Sequence, residues 1–228
     1  MRPLRAVLFD VGNTLLFLDY ARLAEGVGSA LGLPLTREGL ARHVSAATQA
    51  MERAGGTDRT RAVAYLETLF LLGGVGRDRL GELHECLSRM HREQHLWSGV
   101  AERSAAALSR LRNAGLRLGV VSNSDGRVEE ALEAAGLRQY FDVIVDSALA
   151  GVEKPDPGIF HAALDALGVS PEEALYVGDL YDVDVVGARA AGMDAILLGS
   201  PPAEGAAPCR TSPSIEELVN QILSERKR

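Results

Sequence analysis

Polar side chains that can do chemistry follow the short apolar segments of this chain. They stand at the end of such a segment or shortly after it: Asp10, Ser122, Lys154, Asp179 and Asp184. A carboxylate can attack an electrophilic centre as a nucleophile. When that centre is phosphorus, charge repulsion favours a Mg²⁺ ion held by several carboxylates, with a lysine and a hydroxyl binding the remaining phosphoryl oxygens. The residue types therefore indicate phosphoryl chemistry.

The apolar segments themselves have the pattern of buried parallel strands. Each is continuous rather than alternating, as expected when both faces of a strand are covered. They are Ala6–Phe9, Leu118–Val121, Val143–Val145, Ala174–Val177 and Ala195–Leu198. Amphipathic helical patterns separate the last four, so we predict an α/β fold with a doubly wound, Rossmann-like parallel sheet. Ligand sites in such sheets lie outside the carboxyl ends of the strands, where the polar side chains stand.

The region between the first and second predicted strands has a different pattern. Residues 18–97 contain no convincing strand and predict about four helices, near residues 20–31, 37–53, 58–72 and 77–95. This is too much chain for a simple crossover. We therefore expect a core of residues 1–16 and 98–228 and an inserted helical domain of residues 17–97. The Pro-rich segment Gly199–Pro213 predicts a surface loop.

Composition excludes several classes of protein. The 228 residues carry 24 Lys+Arg against 31 Asp+Glu, a net charge of −7, which argues against a nucleic-acid partner. No stretch of apolar residues is long enough to span a membrane, and the N-terminus does not resemble a signal peptide. Cys86 and Cys209 do not make a disulfide framework. We expect a cytoplasmic protein with no membrane partner, and the sequence is compatible with a monomer or a homodimer.

Taken together, the polar segments resemble the motifs of the haloacid dehalogenase-like superfamily, in the subfamily with a helical cap inserted after the first motif. Asp10–Thr14 is similar to the first motif and Val120–Asn123 to the second. Lys154 with the following Pro155-Asp156-Pro157 is similar to the third, and Gly178-Asp179 with Asp184 to the fourth. The resemblance covers nearly the whole chain. It implies a hydrolase, most commonly a phosphatase that uses an aspartyl-phosphate intermediate on a small phosphorylated metabolite.

The resemblance also implies a role for each matching residue. Asp10 would be the nucleophile, and Ser122 and Lys154 would act on the phosphoryl group. Asn123 and Thr14 would support phosphate binding, and Thr14 would also steady the nucleophile loop. Mg²⁺ would be held by one Asp10 oxygen, the Gly12 carbonyl, Asp179 and Asp184. Asp182 matches none of the family's ligands, and we interpret it as a residue at the start of a helix.

Gly12 departs from the phosphatase pattern of this superfamily. Most of these phosphatases have a second Asp two residues after the nucleophile, which protonates the leaving oxygen and then activates water. Such a general acid/base contributes about 10²–10⁴ in rate. With Gly12 there, we expect substrates whose leaving group needs little protonation, such as acyl or aryl phosphates. Otherwise another residue of the helical domain supplies the acid; the candidates are His43, His84, His91, His95, Asp19 and Tyr20.

The absence of an acid at position 12 has three other interpretations. The 2-haloacid dehalogenases need no acid for a halide leaving group, but they need no metal either, and Asp179 with Asp184 argues against them. Phosphonoacetaldehyde hydrolases use a lysine of the cap, whereas the only lysines here are Lys154 and Lys227. A non-catalytic member that binds Mg²⁺ and a phosphorylated ligand, or a protein partner, remains an alternative, and the dehalogenase remains a minor one.

Overall fold

The protein is described here by a computed structural model, which covers residues 3–101, 103–199, 201 and 206–226. The chain divides into two compact units, one of Met1–Phe17 with Gly99–Arg228 and one of Leu18–Ser98. We call them the sheet unit and the helical unit. Each junction lies one residue later than the boundary predicted from the sequence. Lys227 lies outside the described residues.

Parallel strands form the centre of the sheet unit. In chain order the strands are β1 (Ala6–Phe9), β2 (Leu16–Leu18), β3 (Trp97–Val100), β4 (Arg117–Ser122), β5 (Val143–Asp146), β6 (Ala174–Gly178), β7 (Asp194–Leu198) and β8 (Arg210–Ser212). Six of them form one sheet in the order β5-β4-β1-β6-β7-β8, and every neighbouring pair in it is parallel. The predicted doubly wound parallel sheet is therefore confirmed. β2 and β3 pair separately, where the chain passes between the units.

The first strand lies at the middle of this sheet. All four side chains of β1, Ala6–Phe9, are fully buried, because β4 pairs on one side, β6 pairs on the other and helices cover both faces. The chain winds in opposite directions from β1, so the strand order reverses there. Such a switch point opens a crevice at the carboxyl ends of the strands. Asp10, the residue after β1, stands at that crevice.

The helices follow the periodicity of the sequence. They are α1 (Tyr20–Leu31), α2 (Arg37–Ala41), α3 (Val44–Ala54), α4 (Asp58–Leu72), α5 (Leu80–Glu93), α6 (Ser104–Asn113), α7 (Val128–Ala134), α8 (Ser147–Ala150), α9 (Pro157–Leu167), α10 (Val186–Ala190) and α11 (Ile215–Glu225). In α9, Asp156 accepts a hydrogen bond from Gly158 N at the N-terminus, and Gly168 ends the helix in the left-handed conformation. The apolar stripe Ile159–Leu167 is buried against the sheet, and the Phe160 ring packs edge-on against Tyr176.

The helical unit contains α1 to α5. The helix predicted over residues 37–53 is interrupted: α2 ends at Ala41 and α3 begins at Val44. Arg42 and His43 carry no Gly or Pro signal that would have indicated this break. At the other end of the unit, the Arg22 guanidinium donates hydrogen bonds to three carbonyl oxygens at the C-terminus of α5, those of Met90, Gln94 and His95. These bonds satisfy acceptors that a helix end leaves without partners.

The segment Gly199–Pro213 is not entirely the predicted loop. Within it β8 pairs in parallel with β7 at the sheet edge, with Ile196 opposite Arg210 and Leu198 opposite Ser212. An edge strand needs covering on only one side, so β8 contains no apolar run that would have predicted it. Residues 200 and 202–205 of this segment lie outside the described residues. None of the described helices is both long enough and apolar enough to cross a membrane.

Candidate active site

The loop after β1 places Asp10 at the switch point. Asp10 N donates to Val177 O of β6 at 2.8 Å, which continues the pairing of the two strands by one residue. The chain then turns sharply, with Leu15 N bonded to Val11 O at 2.9 Å and Asn13 in the left-handed conformation at φ 54°. Asn tolerates that conformation better than most residues. Only 7% of the Asp10 surface is exposed, so its carboxyl group is largely shielded from water.

Lys154 connects the nucleophile candidate to the acidic loop after β6. Its Nζ lies 2.6 Å from Asp10 Oδ1, 2.7 Å from Asp184 Oδ1 and 2.9 Å from the Tyr176 hydroxyl. An ammonium group has three protons, so each of them has an acceptor here. Lys154 is only 3% exposed. A buried ammonium group is tolerated when it is paired and fully hydrogen-bonded, and both conditions are met.

Asn123 holds the backbone of Lys154. Its Oδ1 accepts a hydrogen bond from Lys154 N at 2.7 Å, and its Nδ2 donates to Lys154 O at 3.0 Å. The peptide bond between Lys154 and Pro155 is cis. The sequence placed Asn123 on the phosphate. In the structure its amide uses one donor and one acceptor on the segment that carries Lys154, and its second N–H proton remains available for the predicted contact.

Asp184 approaches the site through an unusual turn. Residues Tyr181–Val185 form a single π-helical turn before α10, in which Asp184 N donates to Leu180 O and Asp184 Oδ2 accepts from Leu180 N at 2.9 Å. This turn brings the Asp184 side chain directly over the backbone of Gly178. A β-carbon at position 178 would overlap the Asp184 carboxyl group. Position 178 therefore requires glycine for close approach rather than for conformational freedom.

Burial and mutual repulsion raise the pKa of Asp10 and of Asp179. Desolvation is the largest cause at Asp10, whose pKa rises to about 7 despite the favourable charge of Lys154. Burial, with repulsion by Asp10 and Asp184, also raises the pKa of Asp179 well above its usual value. Attraction by Asp10 and Asp184 outweighs desolvation at Lys154 and raises its pKa, so it stays protonated.

The three carboxyl groups fit a divalent cation. Asp10, Asp179 and Asp184 each offer an oxygen atom, and these atoms lie within 4.8 Å of one another. When all three carboxyl groups are ionised, they leave an excess of two negative charges beside the Lys154 ammonium group, in a largely buried place. Oxygen donors with that charge suit Mg²⁺. Gly12 forms an isolated bridge with Leu16 in the same loop. Asp182, two residues before Asp184, is exposed and lies outside this cluster.

Ser122 and Thr14 are the two hydroxyl groups predicted for the phosphate side. Ser122 is the last residue of β4, is 4% exposed and lies opposite Asp146 in the register of β4 and β5. Thr14 is 1% exposed, and its Oγ1 has no hydrogen-bond partner among the residues that the structure describes. A buried hydroxyl without a partner is unfavourable unless a ligand or water satisfies it. The Thr14 hydroxyl is therefore suited to bind a ligand.

Tyr176 was missed at the sequence level. Its phenolic oxygen donates to Val121 O at 2.9 Å, accepts from Lys154 Nζ and lies 3.3 Å from Asp184 Oδ1. The signal was present, because a tyrosine in an otherwise apolar, buried strand needs a partner for its hydroxyl. The identity of that partner depends on β4 and on the loop that carries Lys154.

The candidate substitute acids belong to the helical unit. Asp19 Oδ1 accepts from Arg22 N at the start of α1, and the Tyr20 hydroxyl lies 2.8 Å from that of Tyr65. Of the four histidines, His84 is paired with Glu67 at 2.8 Å. The others are His43, His91 and His95. Structural partners within this unit are thus already present for Asp19, Tyr20, His84, His91 and His95.

Comparisons with known proteins agree with the motifs. The family model for haloacid dehalogenase-like hydrolases matches residues 4–192. A bovine haloacid dehalogenase-like hydrolase domain-containing protein 3 is 35% identical over 215 residues, which is 87% of this chain and 83% of that protein. Glyceraldehyde 3-phosphate phosphatase from Methanothermobacter thermautotrophicus is 32% identical over 206 residues, covering 86% of each chain. A Mg²⁺-bound putative hydrolase from Bacillus subtilis, YfnB, shares the fold, with a TM-score of 0.73 at 20% identity and coverage of 97% and 99%.

Proposed function

Because the chain belongs to the haloacid dehalogenase-like hydrolase family, we propose that it is a Mg²⁺-dependent phosphatase acting on a small phosphorylated molecule. The observation that carries this proposal is the buried cluster of Asp10, Lys154 and Asp184, with Asp179 close by, at the switch point of the sheet. Phosphatases among the relatives support it, including the glyceraldehyde 3-phosphate phosphatase. We assign the helical unit as the cap domain of this family.

Asp10 is the nucleophile of the proposed reaction. Lys154 donates to its Oδ1, which orients the carboxylate and favours its ionised form. Attack on phosphorus forms an aspartyl-phosphate and breaks the bond to the leaving oxygen, which takes the electron pair. Water then attacks the phosphorus, releases phosphate and regenerates the Asp10 carboxylate.

The phosphoryl group is held by residues of the sheet unit. Ser122 and Thr14 donate hydroxyl protons to its oxygens, and Lys154 exchanges one of its three partners to contact it. Asp10, the Gly12 carbonyl, Asp179 and Asp184 hold Mg²⁺, which when bound neutralises the charge of the phosphoryl group. Asn123 acts through Lys154, because its amide is bonded to that residue's backbone.

Gly12 determines which substrates react well. It offers no proton, so an alkoxide leaving group departs without assistance from the nucleophile loop. Carboxylate and phenolate leaving groups are stable as anions, so acyl and aryl phosphates react without that assistance. Asn13 does not replace the acid, because an amide does not donate and regain a proton at neutral pH.

The test is phosphate release in the presence of Mg²⁺ from an acyl phosphate, an aryl phosphate and several sugar and nucleotide monophosphates, with Asp10→Asn as the control. Hydrolysis of the acyl and aryl phosphates by the wild type, but not by Asp10→Asn, supports the proposal. Rapid turnover of one alkyl ester means that the cap supplies the acid. Activity equal to that of Asp10→Asn on every substrate overturns the proposal and favours the non-catalytic binding role.

A further inference from the structure

A buried carboxylate outside the acidic cluster joins two segments at the same edge of the sheet. Asp146, the last residue of β5, is 4% exposed. Its oxygens accept hydrogen bonds from three backbone N–H groups: Gly126 N at 3.0 Å to both oxygens, Val128 N at 3.2 Å and Ala148 N at 3.0 Å. A buried carboxylate without such donors would be strongly unfavourable. Its position is therefore determined by the two segments that supply them.

The three donors belong to the starts of two helices. Ala148 lies in the first turn of α8, for which Asp146 is the N-cap residue. Val128 is the first residue of α7, and Arg127 before it makes no capping hydrogen bond with its own side chain. Asp146 thus supplies from a neighbouring strand the acceptor that α7 lacks locally. Helix N-termini carry unpaired N–H groups and partial positive charge, so a carboxylate stabilises both starts.

The next residue ties the same loop at a second point. Ser147 Oγ accepts from Ser124 N at 3.0 Å and donates to Ser124 O at 3.2 Å. We call residues 123–127 the β4–α7 loop. Its first residue, Asn123, holds the backbone of Lys154 by two hydrogen bonds. The loop is therefore bound to β5 on one side and to the lysine segment on the other.

We propose that Asp146 is a positioning residue for the phosphate-binding side of the active site. It holds the β4–α7 loop in place, and thereby keeps Ser122 and, through Asn123, Lys154 where the phosphoryl group binds. The inference rests on the proposed function for the roles of Ser122 and Lys154. The inference also separates the phosphate-binding side of the site from the cation-binding side. The cation ligands follow other strands, Asp10 after β1 and Asp179 and Asp184 after β6, and the hydrogen bonds of Asp146 go to neither of these loops.

The experiment compares Asp146→Ser with the wild type, using an aryl phosphate as substrate. A serine retains a side-chain oxygen at the N-cap of α8 but is too short to reach Gly126 and Val128. Hydrogen bonds to a charged acceptor are lost, so we expect KM and the inhibition constant for inorganic phosphate to rise about tenfold or more. The Mg²⁺ concentration for half-maximal activity should stay within about twofold of the wild-type value, because separate loops hold the cation.

Two further variants distinguish positioning from loss of stability. Ser147→Ala removes the ties to Ser124 alone and should shift KM and phosphate inhibition in the same direction by a smaller factor. Ser214 is the N-cap residue of α11, and its Oγ accepts a hydrogen bond from Glu217 N. Ser214→Ala removes this cap and should lower the melting temperature without changing KM. Unchanged KM and phosphate inhibition in Asp146→Ser would overturn the inference. So would a proportional loss of Mg²⁺ affinity.

Amide hydrogen exchange gives a readout that does not depend on activity. Gly126 and Val128 amides should be protected in the wild type and exchange much faster in Asp146→Ser, while protection in β1 and β6 is retained. Equal exchange in both proteins would overturn the inference even if the enzyme is active. If the wild type hydrolyses none of the phosphorylated substrates and does not bind inorganic phosphate, the proposed function fails. The hydrogen-exchange result alone then decides whether Asp146 holds the β4–α7 loop.

Discussion

The hydroxyl of Tyr176 lies 2.9 Å from Nζ of Lys154, inside the sheet unit and away from solvent. It accepts one ammonium proton while it donates its own proton to Val121 O at 2.9 Å. The Tyr176 side chain thereby connects β6 to the backbone of β4, and Lys154 is held between Asp10 and Asp184. The Tyr176 ring in turn packs against the Phe160 ring in an edge-to-face arrangement, with 4.9 Å between the ring centroids.

Tyr176→Phe tests this connection. The change leaves one proton of Lys154 and the Val121 carbonyl without a partner in a buried place, so we expect the free energy of unfolding to fall by about 1–3 kcal/mol. Phosphatase kcat should fall as well, because Lys154 loses one of its three restraints. Urea unfolding and phosphate release measure the two effects. Tyr140→Phe, in a short 3-10 turn, is the matched control and should leave kcat unchanged. Equal stability of Tyr176→Phe and wild type would contradict the interpretation.

Gly178→Ala tests the approach of Asp184 to the backbone of β6. A methyl group at position 178 overlaps the Asp184 carboxyl, so the acidic loop must move away. We expect a stability loss of about 1–3 kcal/mol, as for other overpacked sites, and weaker activation by Mg²⁺. A Mg²⁺ titration of activity gives the measurement. Gly81→Ala is the same substitution in α5, where a β-carbon meets nothing within 4 Å, and it should not affect activation. Normal Mg²⁺ activation in Gly178→Ala would argue against a role for this contact.

Gly12→Asp tests the missing acid. Gly12 does not have the positive φ of its neighbour Asn13, so its backbone conformation does not by itself require glycine. A general acid typically contributes about 10²–10⁴ in rate, and we expect kcat/KM for alkyl phosphates to rise by about tenfold or more. The value for acyl phosphates should change little. Gly12→Asn has the same shape but transfers no proton, and it should resemble the wild type. A gain by the Asn variant equal to that of Asp would show that proton transfer is not the cause.

Asp179→Asn tests the charge of the cation site. Burial and repulsion raise the pKa of Asp179 above its ordinary value of 3.8, so its ionisation destabilises the folded protein as pH rises above that value. At pH 8, without metal, the Asn variant should therefore melt at a higher temperature than the wild type. Mg²⁺ at 100 times its dissociation constant should stabilise the wild type by about 2.7 kcal/mol and the variant much less. Thermal unfolding with EDTA and with Mg²⁺ gives both values.

The control for this prediction is Asp182→Asn, an exposed position in the same loop. Removing its charge should change neither the metal-free melting temperature nor the stabilisation by Mg²⁺. A Mg²⁺-dependent increase in melting temperature that survives in Asp179→Asn would remove Asp179 from the cation site.

The sequence predicted much of the fold because its signals are local. The buried segments Ala6–Phe9 and Ala174–Val177 are apolar on both faces, a pattern that is typical of central parallel strands. The stripe of α9, with its Asp156 cap and terminal Gly168, is also encoded within one helix. By contrast, β8 has too few apolar side chains to be recognised, because it is defined by its pairing with β7. The break between α2 and α3 has no local signal either.

The same division applies to the site. Sequence order and strand ends were sufficient to collect Asp10, Lys154 and Asp184 at one edge, because parallel strands all end there. Only the tertiary structure determined what each atom contacts: the Asn123 amide on the Lys154 backbone, the Tyr176 hydroxyl on Lys154 and the Asp146 carboxylate across two helix starts. Such contacts join segments far apart in the chain. Their partners depend on the order and register of the strands, which the residue types alone do not specify.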